Sequence, residues 1–165
     1  MLDLILREGW LIDPERLTML PGSLGVKDGK IAALFADTEP VAEAAFDCGG
    51  RTLLPGFLDI HTHLNGLGRD RDADVNVPMK VLVTAAELAR HYLDYGFTTI
   101  RDCGGRRFET LAVRDYINKG KLIGPRMLCS GTPLKVVGGH EPGADYTGPW
   151  EARARVREFL MHGVD

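Results

Sequence analysis

Two patterns of apolar residues divide the chain near residue 55. Before that point, short apolar runs such as Leu2 to Leu6 and Trp10 to Ile12 alternate with turn residues, and no helical period appears. The pair Asp28-Gly29 joins two further runs, and Asp-Gly supplies the positive φ angles of a two-residue hairpin turn. Another strand is predicted over Phe46 to Leu54. Residues 1–54 are therefore predicted to form a small β-layer.

After residue 55, predicted strands and helices alternate. The strands are Gly56 to His63, Phe97 to Ile100 and Arg126 to Ser130; the helices are Met79 to Tyr95, Phe108 to Asn118 and Trp150 to Met161. A long Gly/Pro-rich loop is predicted over Gly131 to Pro149. This alternation is typical of a parallel α/β sheet. Because no G-x-G-x-x-G sequence follows any strand, a (β/α)8 barrel is favoured over a doubly wound nucleotide-binding fold.

The length of the chain fits only part of such a barrel, which needs about 250 residues. The 165 residues leave room after Pro55 for three βα units, with a fourth strand implied at Val164. We therefore expect residues 55–165 to be the first three units of an incomplete barrel. Residues 1–54 are expected to be a β-sandwich segment completed by strands from a missing C-terminus. Because an open barrel exposes strand edges, we expect this chain to be a homo-oligomer or marginally folded, and inactive by itself.

Composition narrows the classes of partner. The chain has 20 Lys and Arg against 23 Asp and Glu, a net charge of −3, which argues against nucleic-acid or anionic-membrane binding. Its three cysteines, Cys48, Cys103 and Cys129, are odd in number and lack C-x-x-C spacing, which favours a reducing compartment. The N-terminus lacks the features of a signal peptide, and the apolar runs are too short for a membrane span. These features predict a cytoplasmic protein.

The strongest chemical signal is the segment from Pro55 to Leu64, which contains Asp59, His61 and His63. Side chains two residues apart in a strand share a face, so these three are expected on one side, with Ile60, Thr62 and Leu64 on the other. Two imidazoles at a strand end can bind one metal ion, and a nearby carboxylate can orient a ligand. An H-x-H sequence alone is more often a polar strand end with two surface histidines, and it is the flanking Pro-Gly and Asp that favour a metal site here.

The same segment resembles the P-G-x-x-D-x-H-x-H signature of the amidohydrolase superfamily of metal-dependent hydrolases. The Lys27 to Ile31 hairpin is similar to the small β-sandwich of those enzymes, Tyr95 to Asp102 resembles their second barrel strand, and Gly124 to Met127 resembles the start of the third. The sequence Gly138-Gly139-His140 is similar to the following loop in the imidazolonepropionase-like and Xaa-Pro or Xaa-Arg dipeptidase branch. The resemblance extends over most of the chain.

The resemblance implies roles for several residues. His61 and His63 would bind the more buried of two metal ions, which we expect to be zinc. Asp59 would hold the strand or a ligand in place, with a hydrogen bond to local backbone as the alternative. His140 would contact the substrate, although a solvent-exposed loop histidine is the alternative. Asp102 is expected either to face the site or to form a turn before Gly104. In the family a bridging carboxylated Lys and a general-base Asp complete the site. Both are expected beyond Asp165, so no catalytic residue is assigned here.

The function that the resemblance implies is metal-dependent hydrolysis of carbon–nitrogen bonds by a metal-activated water. The expected substrates are small molecules, either dipeptides or N-acyl amino acids. One alternative is a mononuclear deaminase of the same superfamily. Another is a non-catalytic fragment that acts as an assembly or interaction module.

Overall fold

A computed structural model describes residues 1–36, 40–65, 77–105, 107–139 and 144–165. The chain divides into two compact units, Met1–Pro55 and Gly56–Asp165. All the described helices belong to the second unit. No helix in the described ranges is long and apolar enough to cross a membrane.

The first unit is a β-sheet. Its strands are β1 (Leu2–Asp13), β2 (Thr18–Lys27), β3 (Lys30–Phe35), β4 (Ala42–Asp47) and β5 (Thr52–Leu53). The order is β3-β2-β1-β4, and β5 also pairs with β1. The first three strands are antiparallel, whereas β4 and β5 run parallel to β1. The buried side chains of this unit include Ile5 of β1 and Cys48, which follows β4.

The Asp28-Gly29 hairpin is confirmed. Both residues have positive φ, 50° and 69°, and Lys27 pairs with Lys30 across the turn. The carboxylate of Asp3 fixes this turn, since it accepts hydrogen bonds from the Lys27 ammonium group and from the Asp28 N–H. Local sequence therefore decided the geometry of the hairpin, and one long-range carboxylate ties it to β1.

The two apolar runs near the N-terminus lie in one continuous strand, β1, whose pairing with β2 shifts between Leu6 and Gly9. One strand prediction in this unit needs correction. The single strand predicted over Phe46 to Leu54 is wrong, because the chain turns between β4 and β5. Gly49 and Gly50 adopt φ angles of 56° and 74° there, which side-chain-bearing residues rarely adopt.

The second unit alternates strands and helices as predicted. Its elements are β6 (Phe57–Thr62), α1 (Pro78–Asp94), β7 (Phe97–Asp102), α2 (Glu109–Asn118), β8 (Arg126–Cys129), β9 (Leu134–Val136), β10 (Ala144–Tyr146) and α3 (Pro149–His162). Strands β6, β7 and β8 form a parallel sheet in that order. Pro78 begins α1, where its missing N–H costs nothing, and Gly96 follows the helix at φ 85°.

The hydrophobic core of this unit lies between the sheet and its first two helices. Its buried members include Ala85 and Ala89 of α1, Ile100 of β7 and Val113 of α2. Small residues on α1 allow the helix to approach the strands closely, while Ile100 fills the centre of the sheet. This core holds the carboxyl ends of β6, β7 and β8 in register, and the candidate site lies there.

The loop predicted over Gly131 to Pro149 is partly wrong. It contains the two short strands β9 and β10, which pair in parallel from Leu134–Ala144 to Val136–Tyr146. Alternation over three residues is too short to indicate a strand from sequence, and this pairing joins residues ten positions apart. Near the predicted fourth strand, the N–H of Asp165 donates to the carbonyl of Cys129 at 3.1 Å, which continues the hydrogen bonding of the sheet beyond β8.

Candidate metal site

An irregularity in β6 sets the position of the histidines. Asp59 pairs with Ile100 and Thr62 with Asp102, so β6 has one residue more than β7 over this stretch. Such a β-bulge interrupts the alternation of side chains between the two faces. The strict alternation predicted from Asp59 to Leu64 is therefore wrong: the Tyr92 hydroxyl contacts both Asp59 and Thr62, which alternation would place on opposite faces.

The two histidines lie next to each other at the end of β6. Their ring centroids are 5.5 Å apart, with 66° between the ring planes. His61 is exposed and His63 is half-buried. The two rings therefore lie side by side and approach each other at an angle.

A hydrogen bond fixes the ring of His63. Its Nδ1 lies 2.7 Å from the carbonyl oxygen of Gly104, in the loop after β7. A carbonyl only accepts hydrogen bonds, so Nδ1 carries the proton, and Nε2 of the neutral ring keeps its lone pair. This is the arrangement by which proteins orient a metal-binding histidine through its second nitrogen.

Asp59 acts on the backbone of this segment. One carboxylate oxygen accepts the N–H of His61 at 3.0 Å, and the other accepts the hydroxyl proton of Tyr92 at 3.3 Å. Asp59 thus holds the main chain at His61. Its hydrogen bond to the His61 N–H, two residues on, is the local backbone contact that the sequence left open as the alternative, and a role in orienting a metal ligand stays a prediction.

Asp102 is fully buried at the end of β7. Its carboxylate accepts the N–H of Leu64 at 3.1 Å and the Thr110 hydroxyl at 2.6 Å. Burial raises the pKa of Asp102, while the hydrogen bonds from Thr110, Leu64 and Gly104 oppose that rise. Asp102 therefore links Leu64, which follows His63, to the loop after β7 that holds the His63 ring.

Glycines allow the strand-end loops to pack against one another. Gly104 has φ 93°, and a Cβ there would come 2.5 Å from the carbonyl oxygen of Gly131 in the loop after β8. Gly105 donates its N–H to that same carbonyl at 3.0 Å, and a Cβ on Gly105 would come 2.9 Å from the side-chain nitrogen of Asn65. The loops after β7 and β8 therefore meet backbone to backbone, and the Asn65 side chain packs directly against the backbone of Gly105.

The remaining candidates lie apart from this pair or are not described. His140 lies outside the described residues, so its substrate contact stays a prediction. Cys129 is buried, and burial together with the charge of Asp102 raises the pKa of its thiol to about 12. Lys135 forms an ion pair with Asp145 at 2.6 Å. Within the described ranges, no group of three or more His, Cys, Asp or Glu residues is placed to hold a metal ion.

Sequence reasoning missed three residues that support the histidines: Tyr92, Gly104 and Thr110. Helical spacing by itself indicates only that Tyr92 belongs to the apolar face of α1. Each acts through a contact across β6 or β7 that no local pattern indicates. The site is thus a pair of imidazoles at the carboxyl edge of a parallel sheet in an α/β unit, where such folds place their ligands.

Comparison with known proteins relates the chain to a class of enzymes. No family profile matches the chain. An adenine deaminase from Listeria monocytogenes is 32% identical over 98 residues, which cover 59% of this chain and 14% of that enzyme. A D-hydantoinase from Rhizobium radiobacter is 36% identical over 63 residues, 38% of this chain and 13% of that enzyme. The crystal structure of a protein assigned as a prolidase from Bifidobacterium longum matches with a TM-score of 0.80 and 29% identity, over 98% of this chain and 39% of that one.

These homologues are adenine deaminases, hydantoinases and prolidases of the amidohydrolase superfamily, and the chain has the fold of their N-terminal portion. The family resemblance predicted from sequence is confirmed. The chain spans less than half the length of the proteins it matches. A mixed α/β fold is likewise confirmed for this portion.

Proposed function

We propose that this chain forms the N-terminal part of a metal-dependent hydrolase of carbon–nitrogen bonds, with His61 and His63 as ligands of a divalent metal ion. The observation that carries the proposal is the hydrogen bond from His63 Nδ1 to the Gly104 carbonyl beside the ring of His61. The relatives support the reaction class, since deaminases, hydantoinases and prolidases all hydrolyse carbon–nitrogen bonds. In this proposal residues 55–165 are the first three units of a (β/α)8 barrel, and residues 1–54 are part of a β-sandwich.

The two imidazoles suit zinc. Two histidines that share a tetrahedral zinc ion at the usual bond lengths have ring centroids about 5 Å apart, and those of His61 and His63 lie 5.5 Å apart. Neutral imidazole nitrogens are common zinc ligands. A bound zinc ion would lower the pKa of a water molecule and polarise a substrate carbonyl. Two ions per site in the whole enzyme is the arrangement that the family resemblance implies.

The other residues of the proposed site position the histidine segment or the substrate. Asp59 holds the main chain of His61, and Asp102 fixes the backbone after His63. We assign His140 to the substrate, as a hydrogen-bond donor toward a carbonyl or carboxylate. Dipeptides and N-acyl amino acids are the proposed substrates, and the match to a prolidase structure supports the dipeptide. We also propose a cytoplasmic location, because the odd number of cysteines without C-x-x-C spacing favours a reducing compartment.

A deaminase is the second candidate, and the similarity to adenine deaminase favours it. It would use the same histidine pair with one metal ion. The two candidates differ in the bond that is hydrolysed, so a substrate panel separates them. An Xaa-Pro dipeptide, an N-acyl amino acid, a hydantoin and adenine together represent the alternatives.

The test measures bound zinc in this chain, and hydrolysis of the substrate panel in the full-length enzyme. Zinc bound per chain is measured after dialysis for the wild type, His61→Ala and His63→Ala, with His91→Ala as the matched control on α1. His91 pairs with Glu87 on the helix surface, so its loss leaves the site intact. We expect both site variants to lose most zinc and the control to keep it. Equal zinc content in all four proteins would refute the metal assignment.

We propose self-association as well. Strand β6 is at the edge of the described three-stranded sheet, and its side chains Leu58 and Ile60 are 65% and 69% exposed. Unpaired strand edges with apolar side chains favour association. Sedimentation of the purified protein should show a species larger than a monomer, and a monodisperse monomer would contradict this.

A further inference from the structure

The hydroxyl of Tyr92, on α1, contacts two residues of the bulged strand β6, which ends just before His63. Its oxygen lies 2.5 Å from the Thr62 hydroxyl and 3.3 Å from the Asp59 carboxylate. Thr62 stands between the two histidines, and Asp59 holds the N–H of His61. One hydroxyl from a neighbouring helix therefore contacts the strand on both sides of His61.

The directions of these hydrogen bonds follow from the groups involved. An ionised carboxylate only accepts, so the single Tyr92 proton goes to Asp59. Thr62 therefore donates its own proton to the Tyr92 oxygen. The N–H of His61 donates to the second oxygen of Asp59 at 3.0 Å. The result is one connected chain of hydrogen bonds from Thr62 through Tyr92 and Asp59 to the main chain of His61, in which each bond strengthens its neighbours.

The Tyr92 ring is itself held in place. It packs edge-on against Phe97 of β7, with centroids 5.5 Å apart and 81° between the planes. Phe97 in turn contacts Phe57 at the start of β6, at 5.7 Å. The hydroxyl of Tyr92 is thus supported by the same two strands whose pairing contains the bulge. A bulge leaves backbone groups without regular ladder partners, so a fixed side-chain contact there restricts the conformation of the strand.

We propose that Tyr92 is a positioning residue for the metal-binding histidines: its hydroxyl holds the bulged segment from Asp59 to Thr62 so that the rings of His61 and His63 remain converged. This inference rests on the proposed function for its zinc readout. Removing a contact that orients a metal ligand typically lowers metal affinity 10- to 100-fold. Because Tyr92 acts on the strand and leaves both rings in place, we expect the lower end of that range.

The experiment compares Tyr92→Phe with two controls. Tyr95→Phe removes an exposed hydroxyl just after the same helix, and Val113→Ala reduces core packing on α2, away from the histidines. The first readout needs no metal: the exchange rate of the His61 amide and the ring signals of both histidines by NMR. We expect about tenfold faster exchange and shifted ring signals in Tyr92→Phe only. Unchanged exchange and ring signals in Tyr92→Phe would overturn the inference.

The second readout is zinc affinity, measured by calorimetric titration with Zn²⁺. We expect about a tenfold loss in Tyr92→Phe, no loss in Tyr95→Phe, and no loss in Val113→Ala despite its lower stability. Thr62→Val should reproduce the Tyr92→Phe loss and Thr62→Ser should restore affinity, with no further loss in the Tyr92→Phe/Thr62→Val double variant. Equal losses in Tyr92→Phe and Val113→Ala would show that only global stability matters and would overturn the inference.

The two readouts separate this inference from the proposed function. If the wild type binds no zinc, the proposed function is wrong, and the NMR comparison still decides whether Tyr92 positions the histidines. If His61→Ala loses zinc while Tyr92→Phe behaves as Tyr95→Phe does in both readouts, the proposed function stands and the role of Tyr92 is wrong.

Discussion

Replacing Gly104 tests how the strand-end loops position His63. Gly104→Ala places a methyl group at a residue with φ 93° and only 2.5 Å from the Gly131 carbonyl oxygen. Two penalties therefore combine: the positive φ, and a contact with rigid backbone. Gly163→Ala is the matched control, because Gly163 has φ 80° in the same unit and no atom within 4 Å of the added Cβ.

The magnitudes differ because only one position is crowded. A positive φ costs an alanine about 1–2 kcal/mol, partly offset by about 0.4–1 kcal/mol from the reduced freedom of the unfolded chain. We therefore expect Gly163→Ala to lower the free energy of unfolding by about 1 kcal/mol. Overpacking adds about 1–3 kcal/mol, so Gly104→Ala should lose about 2–4 kcal/mol. In a chain of this length each kcal/mol corresponds to about 2–4 °C in Tm.

Urea unfolding followed by circular dichroism at 222 nm measures this difference. The signal reports mainly on helices, and all the described helices belong to the second unit. Gly104→Ala should also weaken zinc binding, since the carbonyl that fixes His63 belongs to the residue that moves. Equal losses of stability in the two variants would refute the close loop packing on which the orientation of His63 depends.

Three further predictions concern the substrate loop, the buried carboxylate and pH. In the full-length enzyme, His140→Asn should raise KM or lower kcat while zinc content stays unchanged; lost zinc would instead place His140 among the ligands. Thr110→Val should lower the free energy of unfolding by about 1–3 kcal/mol, because Asp102 loses a buried donor; a change below the error of urea titrations would contradict this. Burial raises the pKa of Asp165, but hydrogen bonds from the Cys129 N–H and Arg114 outweigh it and hold the pKa below 3.8. The ionised Asp165 therefore stabilises the folded chain above pH 3.8, and this contribution is lost as the pH falls through the lowered pKa. Wild type and Asp165→Asn should accordingly converge in free energy of unfolding on acidification. A difference that does not change with pH would contradict this.

Much of the fold was encoded locally. Helical spacing predicted α1, α2 and α3 to within one residue at each end, and β-branched and apolar runs predicted the three parallel strands. The Asp28-Gly29 turn was equally local, because the φ angles depend on the two residues themselves. The H-x-H sequence with its flanking residues indicated the class of enzyme, which the relatives confirm.

Tertiary structure decided how the site is built. The partners of His63 and Asp102 are Gly104 and Leu64, which lie 41 and 38 residues away along the chain, and Tyr92 lies 33 residues from Asp59. Sequence patterns report the periodicity of one element, whereas these contacts depend on the register between β6 and β7, including the bulge. The register is fixed by packing of the whole unit, so the residue types of the site were visible in the sequence and their hydrogen-bond partners were not.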